Sequence, residues 1–174
     1  MKVQTAIALG IIALAAAPVA SAQQWQRLGT NLTGFEEAAP AAISTVATGQ
    51  FDATINQAES AIDYVLSYAD LEAPVTQAHI HFGRRGTDGG ISVFLCTNLG
   101  NGPAGTQPCP ASPATVTGTI TATDVIGPTA QGIGPGEFAE LIRAIRSGSA
   151  YVNVHSTKFP AGEVRGQLDA GHSH

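Results

Sequence analysis

Apolar and polar positions alternate in short bursts along most of this chain. In "AIDYVLSYADL" the side chains of Ile62, Tyr64, Leu66 and Tyr68 fall on one face, with Asp63 and Ser67 on the other. That period of two marks a half-buried strand. "QFDATIN", "ISVFLC", "ATVTGTITA", "AYVNVHS" and "EVRGQL" repeat the alternation or carry the β-branched residues that strands favour. Turn residues separate them at the intervals of a sandwich or barrel. "AHIHFG" is extended as well, so Ala78, Ile80 and Phe82 share one face while His79 and His81 share the other.

One segment breaks the rhythm. In "GPGEFAELIRAIRSG", Phe138, Leu141, Ile142 and Ile145 recur at helical spacing, with acidic residues early, Arg143 and Arg146 late, and Gly148 beyond. This is the pattern of an amphipathic helix whose dipole is complemented at both ends and whose C-terminus is closed by glycine. The whole predicts an all-β domain, an immunoglobulin-like antiparallel β-sandwich or barrel of Greek-key type, with one short amphipathic helix near residues 136–147.

The ends carry other signals. "MKVQTAIALGIIALAAAPVASAQQ" has a basic residue at Lys2, an apolar run from Ala6 to Ala17 and the small-x-small triplet Ala20-Ser21-Ala22. It reads as a secretory signal peptide over residues 1–22, cut before Gln23. The run is too short for a comfortable membrane span, so no span is expected in the mature protein. Residues 23–170 then form a single domain of a size that can bury a core, and 171–174 a short tail bearing His172 and His174. The product is expected to be secreted, to a periplasm or the extracellular space.

Charge and cysteine content narrow the function classes. Eight basic residues stand against thirteen acidic ones, a formal charge of −5, and no basic stripe of the kind nucleic acids require is present. The only two cysteines, Cys96 and Cys109, flank the loop "TNLGNGPAGTQP". Export, an even cysteine count and the lack of a CxxC pair favour a disulfide between them over a pair of metal thiolates.

His79 and His81 share the polar face of one strand, and in "YVNVH" the same alternation puts Tyr151, Asn153 and His155 together. If the two strands are neighbours, three imidazoles converge, a set suited to an open zinc or copper site. The competing reading is a polar ladder. Pairing "YVNVH" with "EVRGQ" across "STKFPAG" sets His155 opposite Glu163, Asn153 opposite Arg165 and Tyr151 opposite Gln167, and such cross-strand pairs are each worth about 0.2–1 kcal/mol. Neither a Gly-x-Ser-x-Gly elbow nor a His-Glu-x-x-His helix occurs, so no catalytic residue is assigned. "GRRGTDGG" leads into a strand, which makes it turn chemistry with Arg84 and Arg85 at an exposed tip.

In order along the chain, "LTGFEEAAPAAISTVATGQFDATI", "AHIHFGRRGTDGGISVFLC", "TGTITATDVIG" and "SGSAYVNVHSTKFPAGEVRGQL" resemble the CHRD domain, named after chordin and found also in secreted microbial proteins. The resemblance runs from about Leu32 to Leu168 and departs from the family pattern in "GFEEAAP", which lacks the usual proline pair. It implies an immunoglobulin-like β fold, an extracellular or cell-surface setting and no established enzymatic reaction. It assigns the histidines no role. In animals the domain belongs to an antagonist of bone morphogenetic proteins. "HIHFG" alone is similar to the copper-binding strand of Cu/Zn superoxide dismutases, but the zinc-binding loop of those enzymes has no counterpart here. Two functions follow as expectations: a non-enzymatic structural or interaction module with a protein, cell-surface or self partner, and a copper or zinc protein using His79, His81 and His155.

Overall fold

The computed structural model describes residues 26–38 and 40–170. Eight strands form one antiparallel sheet: β1 (Gln26–Thr33), β2 (Thr48–Ile55), β3 (Ile62–Ala69), β4 (Val75–Phe82), β5 (Gly90–Thr97), β6 (Ala114–Ile120), β7 (Ala150–Ser156) and β8 (Val164–Ala170). Their order is β5-β4-β7-β8-β1-β2-β3-β6. The sheet curls into a nearly closed barrel, as the alternation predicts, with one α-helix among the described residues, α1 (Phe138–Arg146).

The barrel core follows from period-two alternation on most of the strands. Phe51, Leu66, Ile80, Val152, Val154 and Leu168 are all fully buried in it. The helix adds Phe138, Leu141, Ile142 and Ile145 to the same cluster, the four positions its spacing selects. It ends in a Schellman closure, in which Ser149 N–H donates to Ala144 O and Gly148 N–H to Ile145 O, with Gly148 at φ 67°.

The edge strands β5 and β6 meet along a seam that a loop side chain closes. Gln107 Nε2 donates to Leu95 O on β5 (3.2 Å), to Thr117 O on β6 (3.0 Å) and to the Tyr64 hydroxyl (3.0 Å). The Tyr64 hydroxyl itself donates to Leu95 O at 3.1 Å. The loop that delivers Gln107 is tied at its base by the Cys96–Cys109 disulfide, the pairing expected from the sequence. Among the described residues no helix is long and apolar enough to cross a membrane. Residues 1–22, read above as a signal segment, and the tail with His172 and His174 lie outside the described residues.

Candidate functional site

The adjacency of β4, β7 and β8 assembles three polar strand faces into one surface. Ala78, Ile80, Val152, Val154, Val164 and Leu168 face the barrel core. The alternate side chains, His79 and His81 on β4, Tyr151, Asn153 and His155 on β7, and Arg165 and Gln167 on β8, face the other way. In register, His79 lies opposite Asn153, His81 opposite Tyr151 and Gln77 opposite His155. Across the next pair, Asn153 lies opposite Arg165 and Tyr151 opposite Gln167, as the hairpin pairing predicts.

This outer face is not solvated. His79, His81 and His155 are 0%, 8% and 5% exposed, and Arg165 is 1% exposed. Much of the cover comes from the loop of residues 83–89, which joins β4 to β5. Arg165 Nη2 donates to Arg84 O at 3.1 Å and Thr87 O at 2.8 Å, and Gln167 Nε2 donates to Gly83 O at 2.9 Å. The loop folds back so tightly that a Cβ on Gly89 would lie 1.8 Å from Phe82 O, a position only glycine can fill. At its tip Arg84 and Arg85 are exposed, and Arg85 pairs with Glu36.

Beneath that cover the three rings pack edge and face. The centroids of His79 and His155 are 5.0 Å apart, those of His79 and His81 5.3 Å, and those of His81 and His155 6.4 Å. Phe94 meets His79 edge-on at 4.4 Å, and Tyr151 stacks flat on His81 at 4.8 Å. Two irregularities in the β4–β5 pairing flank His79 and His81, between Ala78 and His79 and between Ile80 and His81. Such bulges bend a strand and re-aim its side chains.

The hydrogen bonds fix the tautomers. His81 Nδ1 lies 2.8 Å from Gly89 O and His155 Nδ1 lies 3.0 Å from Pro160 O. A carbonyl only accepts, so in the neutral rings both Nδ1 atoms carry the proton and both Nε2 atoms present lone pairs. His79 Nδ1 lies 3.1 Å from His155 Nε2 and donates to it, leaving the lone pair of His79 at Nε2. His79 Nε2 and His81 Nε2 are buried without a hydrogen-bond partner. Asn153 Oδ1 is 3.0 Å from His155 Nε2, two acceptors face to face unless the amide turns its NH2 group inward or a cation sits beside them.

Burial disfavours the charged imidazolium, so every member titrates low. The His79 ring is pushed down to about 2, by desolvation first and then by its two histidine neighbours. His155 falls to about 4, mainly through desolvation. His81 is lowered by burial and by the Arg165 charge, against the raising effect of its bond to Gly89. All three are neutral at pH 7.

One expected partner is elsewhere. Glu163 does not hold His155. The β7–β8 ladder runs through Val154 and Val164, after which the hairpin turns through Gly162 at φ 138°. Glu163 Oε1 there accepts from Thr45 Oγ1 at 3.0 Å and from Glu72 N–H at 2.8 Å. Glu37 is also brought under cover. Its carboxylate packs on Gly162, where a Cβ would come within 2.4 Å of Oε1. Burial pushes it up to about 8, with Arg165 lowering it and Asp88 raising it. The signal that could have found Glu37 is its place beside Glu36 in the motif "GFEEAAP", where acidic residues stand in an otherwise apolar stretch.

Among the described residues, His79, His81 and His155 are the cluster that brings together three metal-ligating side chains, with one nitrogen from each within 4.8 Å of the others. No curated protein and no solved structure matches the chain. The family model for the CHRD domain matches residues 28–168, the span of the barrel from β1 to β8, and the chain therefore belongs to the CHRD domain family.

Proposed function

We propose that this is a secreted single-domain protein that works outside the cytoplasm, in a periplasm or the extracellular space, as a non-enzymatic structural or interaction module. The observation that carries this reading is the extent of the family match, which takes in the whole barrel. The family is of the protein-interaction type, and the disulfide suits an oxidising compartment. The partner is a protein, a cell surface or a second copy of the chain. Cell fractionation with N-terminal sequencing tests export and cleavage before Gln23. Cross-linking in the exported fraction, with sedimentation at rising concentration, tests interaction, and the reading fails if neither finds a partner or self-association.

A second reading, binding of copper or zinc, is favoured by one specific observation: two buried imidazole nitrogens with no partner beside a third imidazole. Elemental analysis and titration with each metal, in a chain lacking the tail histidines, test it.

A further inference from the structure

We propose that His79, His81 and His155 hold one cuprous ion, three-coordinate, beneath the loop of residues 83–89. The inference rests on the metal-binding reading and goes beyond it by choosing the ion from the chemistry of the site.

Three features of the donor set are already those of a built centre. Two of the three rings have Nδ1 anchored to backbone carbonyls, Gly89 and Pro160, which is the outer-shell arrangement that orients a ligating imidazole and points Nε2 at a metal. Two Nε2 atoms are buried with nothing to accept from, an arrangement that is unfavourable when nothing fills it. One nitrogen from each ring lies within 4.8 Å of the others, and uptake of the ion by His155 Nε2 replaces the hydrogen bond it accepts from His79 Nδ1. Metal–nitrogen bonds of about 2.0–2.1 Å require the widest separation to close by roughly an ångström, within the reach of small χ rotations.

The charge of the surroundings selects the ion. All three ligands are neutral and the cluster includes no carboxylate or thiolate, so the full charge of the ion is carried in a low-dielectric pocket. Arg165 adds a positive charge on the far face of Tyr151. The Born cost of burial scales with the square of the charge, so a monovalent ion pays about a quarter of what a divalent one does. Coordination number points the same way. Zinc takes four ligands almost always, and rings this enclosed leave little access for a water, whereas a d10 monovalent ion is content with three.

The test is made on the full chain carrying His172→Ala and His174→Ala, in which His79, His81 and His155 are the only histidines left. Under anaerobic conditions, copper(I) in competition with bicinchoninate should load one ion per chain, and X-ray absorption should report about three nitrogen ligands near 2.0 Å. His81→Phe, which keeps the stack on Tyr151, and His79→Gln should each abolish stoichiometric uptake while circular dichroism reports a folded chain. Should either variant fail to fold, the absorption spectrum of the parent decides alone, and a site with sulfur or two-nitrogen coordination overturns the proposal. Stoichiometric zinc without copper(I) overturns the cuprous assignment and leaves metal binding standing. Uptake of neither metal overturns both.

Discussion

The guanidinium carbon of Arg165 lies 3.4 Å from the ring centroid of Tyr151, and the ring of Tyr151 lies 4.8 Å from that of His81 at an interplanar angle of 4°. Cation, phenol and imidazole thus form a three-layer stack across β8, β7 and β4, and the outermost layer pins the covering loop through Arg84 O and Thr87 O. The arginine is the link between the sheet and its lid.

Arg165→Lys should therefore loosen the lid. A lysine offers a point charge in place of the planar fork that stacks and donates together. Loss of charge-assisted bonds worth about 1.5–3 kcal/mol each in favourable cases predicts a destabilisation of about 2–3 kcal/mol. Urea unfolding measures it, and hydrogen exchange should quicken first at Gly83 and Thr87.

The seam gives a second prediction. Gln107→Ala removes the donor shared by Leu95, Thr117 and Tyr64, yet Leu95 O keeps the Tyr64 hydroxyl. A loss of about 1–2 kcal/mol is expected, since two acceptors lose their donor, Thr117 O and the Tyr64 hydroxyl oxygen, and the third does not. A change below 0.5 kcal/mol in the denaturation free energy would mean that the seam is held by other contacts.

Reducing the disulfide, or replacing Cys96 and Cys109 together by serine, should cost about 3 kcal/mol, the chain-entropy value for a loop of roughly this length. The double variant combined with Gln107→Ala should lose less than the two losses added, because the tied loop positions the glutamine and its loss already forfeits part of what Gln107 contributes. A double-mutant cycle on thermal midpoints separates additive from coupled behaviour.

Stability should pass through a maximum near pH 6.5. Below the ordinary histidine value of 6.5 the unfolded chain takes up protons that the buried His79, His81 and His155 refuse, so stability falls as pH drops. Above 4.5 the unfolded chain releases the Glu37 proton, while the folded chain keeps it up to about 8. That group on its own makes stability fall as pH rises across this window. Three groups outweigh one on the acid side, and Glu37 acts alone from 6.5 to 8. Glu37→Gln should flatten the alkaline limb and leave the acid limb in place, as read from melting midpoints across the range.

The parts of this architecture that the sequence makes legible are those with local signals. Period two and β-branched content located seven strands, helical spacing found four of the five buried positions of α1, Ala144 being the fifth, and the pairing of "YVNVH" with "EVRGQ" set Asn153 against Arg165 and Tyr151 against Gln167. Strand β1 escapes because "QRLGTNLT" has only Leu28 and Leu32 as buried apolar residues. Its extended state comes from ladders to β2 and β8 on either side, contacts that no window of sequence contains. The irregular pairing of β5 is hidden for the opposite reason, because "ISVFLC" is apolar at nearly every position and has no register to read. For the site, face alternation placed His79 with His81 and Tyr151 with His155. Their meeting depends on β4 and β7 lying side by side although seventy-odd residues separate His79 from His155. The carbonyls of Gly89 and Pro160 that fix the rings are backbone atoms, and composition says nothing of them.

Strand β7 is buried at all seven positions from Ala150 to Ser156, although its sequence alternates. Its polar half faces a second interior, which means that neither set of positions is free to drift. A saturation library across these residues should tolerate almost nothing, with the even and odd positions failing for different reasons: the valines by leaving voids, the others by stranding a neighbour's donor or acceptor. The surface strands β2 and β3, whose polar side chains meet water, should tolerate change at every second site. The contrast would let sequence variation alone tell which strands of the barrel lie between two cores and which lie at the boundary with solvent.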